Sequence, residues 1–213
     1  MTVLHYIFDP LCGWCYAAAP LVAAAREVPG LAVQFHGGGM LTGANRRPIT
    51  PEWRTYVMPH DRRIEDLTGQ PFGTAYFDGL LRDTGAIMDS EPPTTAVLAA
   101  DALADRGLDM IARLQRAHYV EGRRIADPGV LVELATELGL DAAAFQQAFT
   151  RLSGDATREH IAESRRLLAQ VGGQGFPTFA LERNSGQFDT LDMGRWLGQP
   201  AAWASHLAGL MKA

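Results

Sequence analysis

Apolar and polar positions follow one another along this chain in three successive patterns. At the start, Val3 to Phe8 is a short apolar run rich in β-branched and aromatic residues, which predicts a buried strand. From Cys12 to Glu27 the spacing becomes helical until Pro29-Gly30 stops it, and Leu31 to His36 alternates as a second strand that runs out into Gly37-Gly38-Gly39. Strand, helix and strand in such close succession predict a βαβ unit, with parallel strands and a right-handed crossover.

From Leu41 to Val171 the pattern is helical throughout. Arg47-Pro48 and Thr50-Pro51 read as a linker, and amphipathic stretches follow. Ala96, Val97, Ala100, Leu103 and Ala104 form one stripe, and Met110, Ile111, Leu114, Ala117 and His118 form another in a segment opening at Asp109. Asp127-Pro128 supplies an N-cap and a proline at the first helical position ahead of Leu131, Leu134, Ala135 and Leu138, with Gly139 as the stop. Asp141 caps the next helix, with Phe145, Phe149 and Leu152. A last one begins near Ser153 and carries Thr157, Ile161, Ser164, Leu168 and Val171.

After Gly172-Gly173-Gln174-Gly175 the reading turns extended again. Phe176 to Leu181, a turn at Ser185-Gly186 and Gln187 to Thr190 predict a hairpin, and a helical stretch with Trp196, Trp203, Leu207 and Leu210 ends the chain. A lone hairpin is marginally stable, whereas joined to the first two strands it makes a four-stranded sheet. The predicted class is therefore α/β with an all-helical insertion: residues 1–40 and 172–213 as two parts of one domain, and 41–171 as the insertion.

Composition narrows the class of function. The chain has 213 residues, 47% hydrophobic and 20% charged, with a net charge of −5, which suits an ordinary folded protein and not a disordered one. Its arginines come in scattered pairs and form no basic stripe, so no nucleic-acid partner is expected. No run is long and apolar enough to suggest a membrane span, and Met1 to His5 carries no signal-peptide pattern, so the expectation is a cytoplasmic protein without a membrane partner.

The only two cysteines, Cys12 and Cys15, stand where the first strand gives way to a helix. Free backbone N–H groups and the positive end of the helix dipole favour a thiolate at that position. The spacing lets a second thiol reach back and close a disulfide. In a reducing compartment a permanent staple is disfavoured. A zinc site would need a second ligand pair, and the sequence offers none. Redox chemistry is the expected use, with no metal and no cofactor beyond the disulfide itself.

Cys12-Gly13-Trp14-Cys15 after the first strand, together with Gly175-Phe176-Pro177-Thr178 before the third, resembles the thioredoxin-like oxidoreductases. The long helical insertion resembles the DsbA family in particular, and its signal-less FrnE-like or protein-disulfide isomerase branch most of all. The resemblance implies a thioredoxin-like fold, Cys12 as attacking thiolate, Cys15 as resolving thiol, and Pro177 as a cis-proline that turns the backbone of Phe176 toward the cysteines. An extended substrate would pair with that backbone. It further implies a thiol–disulfide oxidoreductase or isomerase working through a mixed disulfide on protein or small-molecule thiols, with glutathione a conceivable thiol partner. Gly13 and Trp14 stand where better known relatives carry Gly-Pro or Pro-His, and an intermediate redox potential is expected.

Other residues carry weaker expectations. Met40 and Met58 suit a groove that takes varied chains, and His118 and Tyr119 lie on a helix that either overhangs the site or packs in the core. Asp9 is either a proton acceptor for Cys15 or a turn residue. The glycine run after His36 lacks the residues of a phosphate loop and reads as a tight turn. Two further functions share the scaffold. One is a glutathione-dependent transferase or isomerase resembling the kappa-class glutathione transferases and 2-hydroxychromene-2-carboxylate isomerases, for which Cys15 would be superfluous; the other is a non-catalytic holdase.

Overall fold

The computed structural model describes residues 2–183 and 186–212. β1 (Thr2–Phe8) and β2 (Leu31–Gly37) pair in parallel, β5 (Thr178–Glu182) pairs antiparallel with β1, and β6 (Phe188–Leu191) closes the edge, giving the order β2-β1-β5-β6. The four-stranded sheet is the one the pattern predicts. Asn184 and Ser185 of the predicted hairpin turn lie outside the described residues.

Strand alternation decides what covers each face. Leu4, Tyr6 and Phe8 point to one side, together with Phe179 and Leu181. There α2 (Ala19–Arg26) packs with α9 (Pro200–Leu210), whose fully buried Trp203 meets Phe179 at 5.6 Å between ring centroids. Ile7 and Ala180 point the other way and pack against Leu167 and Leu168 of α8 (Asp155–Gln170). On that face His5 Nδ1 lies 2.9 Å from His36 Nε2 and His5 Nε2 lies 2.9 Å from a Glu182 carboxylate oxygen, which satisfies polar groups that burial would otherwise penalise.

The helix that begins at the cysteines is split. α1 (Gly13–Ala17) ends at Ala18 and α2 restarts behind it, because Pro20 offers no N–H to continue the ladder. The linker reading of 47–51 is corrected. Arg47–Pro48 is a short strand, β3, paired with β4 (Ile87–Met88), two residues being too few to show a period. Thr50-Pro51 is the start of α3 (Pro51–Thr68): the Thr50 hydroxyl accepts from the Trp53 N–H at 3.1 Å, and Pro51 sits where its missing N–H costs nothing. The rest of the insertion holds α4 (Glu91–Ala104), α5 (Gly107–Tyr119), α6 (Pro128–Glu137) and α7 (Ala142–Leu152). Asp141 caps α7 through the Ala144 N–H at 2.8 Å, as its position predicts.

Candidate active site

The site is built on the turn that leaves β1. An Asp9 carboxylate oxygen accepts from the Leu11 N–H at 2.9 Å, and the Asp9 carbonyl accepts from the Cys12 N–H at 3.2 Å. That brings Cys12 to the N-cap of α1 in an extended conformation, its carbonyl accepting from the N–H groups of Cys15 and Tyr16. Both cysteines are free thiols. Cys12 keeps 6% of its surface exposed, and its Sγ donates to the Phe176 carbonyl at 3.4 Å across the chain. The Phe176–Pro177 bond is cis.

Cys15 is fully buried one turn on, its Sγ accepting from the Asp9 N–H at 3.4 Å. Burial pushes its thiol well above the ordinary range and the neighbouring Cys12 sulfur pushes the same way, while the Asp9 N–H draws it part of the way back. Cys15 therefore holds its proton at neutral pH, and Cys12 is the sulfur that borders the pocket.

Asp9 ties three segments together. Its buried carboxylate also accepts from the Ser90 hydroxyl at 2.9 Å and from the Met40 N–H at 2.5 Å. Desolvation raises its pKa, while those donors and the Arg165 guanidinium draw it back. Asp9 is a turn residue, as one reading of the sequence has it, and a junction as well. Arg165 itself donates to the carbonyls of Gly38 and Gly39 at 2.8 and 2.5 Å. The glycine run has a packing reason, because a Cβ on Gly38 would lie 2.1 Å from the Phe176 ring. The loop that presents the Phe176 carbonyl to Cys12 rests directly on that backbone.

In front of Cys12 opens a pocket of about 810 Å³. Leu11, Gly13, Trp14, Met40 and Leu41 form its floor. Its wall comes from β3 and α3: Arg47, Trp53, Tyr56, His60, Asp61 and Ile64, of which Asp61 and Ile64 lie against Gly13. The Arg47 guanidinium stands 5.1 Å from the Trp53 ring and that of Arg63 5.9 Å from the Trp14 ring. The wall is thus aromatic and apolar, with a few charged groups set into it.

Of the residues singled out from the sequence, Trp14 and Met40 line the pocket, and Phe176, joined by a cis bond to Pro177, presents its carbonyl to Cys12. Met58 is not among the lining residues and packs against the core. His118 and Tyr119 are corrected from the groove to the core. The apolar stripe of α5 turns inward and takes both along, so that Tyr119 stacks on Tyr16 at 4.8 Å and His118 packs on Tyr76 at 5.3 Å. Burial lowers the His118 pKa to about 3, so the ring is neutral. Asp61, Ser90 and Arg165, which have no short-range signal, are the residues that sequence reasoning missed. Among the described residues no group of three or more His, Cys, Asp or Glu could hold a metal ion, and no helix is long and apolar enough to cross a membrane.

A two-thiol turn facing a cis-proline, on a sheet of this order with a helical insertion, is the arrangement to compare with known proteins. Residues 3–199 match the DSBA-like thioredoxin domain. The chain belongs to this family. Its structure is similar to that of the cytosolic disulfide reductase DsbM from Pseudomonas aeruginosa, with 59% identity and a TM-score of 0.93 over 99% of this chain and 98% of that one. The DsbM structure with GSH gives 57% identity and a TM-score of 0.92, over 99% of this chain and 100% of that one. A 2-hydroxychromene-2-carboxylate isomerase gives 14% identity and a TM-score of 0.60, over 99% of this chain and 100% of that one, a likeness of fold alone. Among curated proteins no match was found. As a DSBA-like protein of this kind, the chain is a thiol–disulfide oxidoreductase.

Proposed function

We propose that Cys12-Gly13-Trp14-Cys15 is the redox pair of a glutathione-linked disulfide reductase working through a mixed disulfide on Cys12, in the cytoplasm. The observation that carries this reading is the inequality of the two thiols: Cys12 opens on the pocket beneath the Phe176 carbonyl, while Cys15 is sealed behind it with its proton held. An attacking and a resolving thiol are needed, and these two environments suit the two roles. The reductive direction and the cytoplasmic setting draw on the likeness to DsbM, described as a cytosolic disulfide reductase, and glutathione on its structure with GSH. The pocket suits a small peptide thiol, with aromatic walls for its body and the Arg47 guanidinium for a carboxylate. The isomerase reading rests on fold alone and leaves Cys15 without a task.

The test is reduction of a small dialkyl disulfide with reduced glutathione as the only reductant, oxidised glutathione being recycled by a reductase and NADPH. Turnover is expected to rise with glutathione and saturate. Turnover that needs a dithiol and ignores glutathione overturns the reading.

A further inference from the structure

Exchange at Cys12 leaves a proton to be managed, since an alkyl thiolate must depart and another thiol must lose its proton before it can attack. Three other carboxyl and imidazole groups are unsuited to that task. Asp9 has its oxygens taken up by the Leu11 and Met40 N–H groups and the Ser90 hydroxyl, and His118 is in the core. His60 lies exposed on the pocket rim beside Tyr56. Asp61 differs from all three. It is buried, yet it lines the pocket together with Cys12 and Gly13. One carboxylate oxygen accepts from the Tyr76 hydroxyl at 2.8 Å, and the other lies where a Cβ on Gly13 would approach to 2.9 Å. The residue next to Cys12 is thus a glycine in contact with this carboxyl group.

We propose that Asp61 is a catalytic proton carrier for exchange at Cys12, acting on the alkyl thiols that occupy the pocket. The proposal rests on the reading of Cys12 as the site of the mixed disulfide. The Cys12 thiolate attacks one sulfur of the disulfide; the new S–S bond forms, the old one breaks, and its electron pair leaves on the departing sulfur, which takes the proton from Asp61. Where glutathione reaches the mixed disulfide ahead of the resolving Cys15, the Asp61 carboxylate accepts the proton of that incoming glutathione. The resulting thiolate attacks the substrate sulfur of the mixed disulfide and releases the Cys12 thiolate. One substrate thiol and one glutathione mixed disulfide are formed, and Asp61 ends protonated as it began. Burial supports this role by lifting the Asp61 pKa to about 7, against the downward pull of the Tyr76 hydroxyl. The titratable groups set against it are Tyr76 and, from α5, Tyr119, and Cys12 and His60 line the pocket with it.

The leaving group separates proton transfer from mere positioning. In a Cys15→Ser background, single-turnover formation of the mixed disulfide is followed with glutathione disulfide and with an aromatic nitrothiobenzoate disulfide, whose thiolate departs without a proton. Adding Asp61→Asn is expected to slow the glutathione reaction about a hundredfold at pH 6 and the aromatic one no more than about twofold. With Asp61 intact, the ratio of the two rates should fall as pH rises through about 7. Tyr76→Phe should keep that fall and move it to higher pH, since it removes the hydrogen bond that lowers the carboxyl pKa. Equal slowing of both disulfides, slowing of neither, or a pH-dependent ratio that survives Asp61→Asn overturns the proposal and leaves the reductase reading intact. Absence of any mixed disulfide with Asp61 in place overturns both.

Discussion

Cys12→Ser is expected to lower glutathione-dependent disulfide reduction by at least about a thousandfold, the loss typical of removing a nucleophile that no neighbour replaces. A serine hydroxyl is not ionised at neutral pH and forms no disulfide. Cys15 cannot take over, because it has no exposed surface and its thiol is pushed well above the ordinary range. The fold should be untouched: Cys12 occupies the N-cap of α1, where serine is among the preferred residues, so unfolding free energy should change by less than about 1 kcal/mol. Rates in the coupled assay and urea melts of the same preparation check both halves. A variant that keeps a tenth of the activity would move the chemistry away from Cys12.

The second large effect is structural and falls on Asp9. Asp9→Ala removes the acceptor of the Leu11 and Met40 N–H groups and the Ser90 hydroxyl, of which the Met40 N–H lies toward the pocket and the other two are buried. Each orphaned buried donor costs about 1–3 kcal/mol, and some relaxation is available to the loops, so the expected loss is roughly 3–6 kcal/mol. Urea unfolding is the measurement, and the midpoint should fall with the slope unchanged. Because Met40 and Leu11 border the pocket, the protein that remains folded should also bind substrate more weakly, seen as a raised KM. A loss below about 1 kcal/mol would mean that the three segments are held together by packing alone.

What the sequence reveals follows the range of the interactions involved. The sheet is legible because each strand carries its own apolar run and the crossover rule pairs the first two. The helix starts at Asp127-Pro128 and Asp141 are legible because both signals act within one turn: Asp141 caps α7, and at α6 Pro128 stands at the first helical position although the Asp127 side chain makes no capping bond; Thr50-Pro51 carries the same signal, which its neighbour Arg47-Pro48 makes easy to take for a linker. The two halves of the proposed redox site, Cys12-Gly13-Trp14-Cys15 and Phe176-Pro177, are recognisable as local motifs, although nothing local says that they meet. The pocket wall is different. Asp61 reaches Gly13 from 48 positions away on α3 and Arg165 reaches Gly38 across 127, and both look like ordinary polar residues of amphipathic helices. For His118 and Tyr119 a periodic stripe says that a face is buried and does not say against what, so groove and core both stay open until the structure places them in the core.

The central claim is that Cys12 forms the mixed disulfide while Cys15 waits behind it. Cys15→Ser incubated with glutathione disulfide, quenched in acid and digested without reductant, puts that claim to peptide mass mapping. One glutathione per chain on the peptide that contains Cys12 is the expected result, with none on Cys12→Ser carrying an intact Cys15. An unmodified Cys15→Ser chain, or glutathione on Cys15 when Cys12 is replaced, would contradict it.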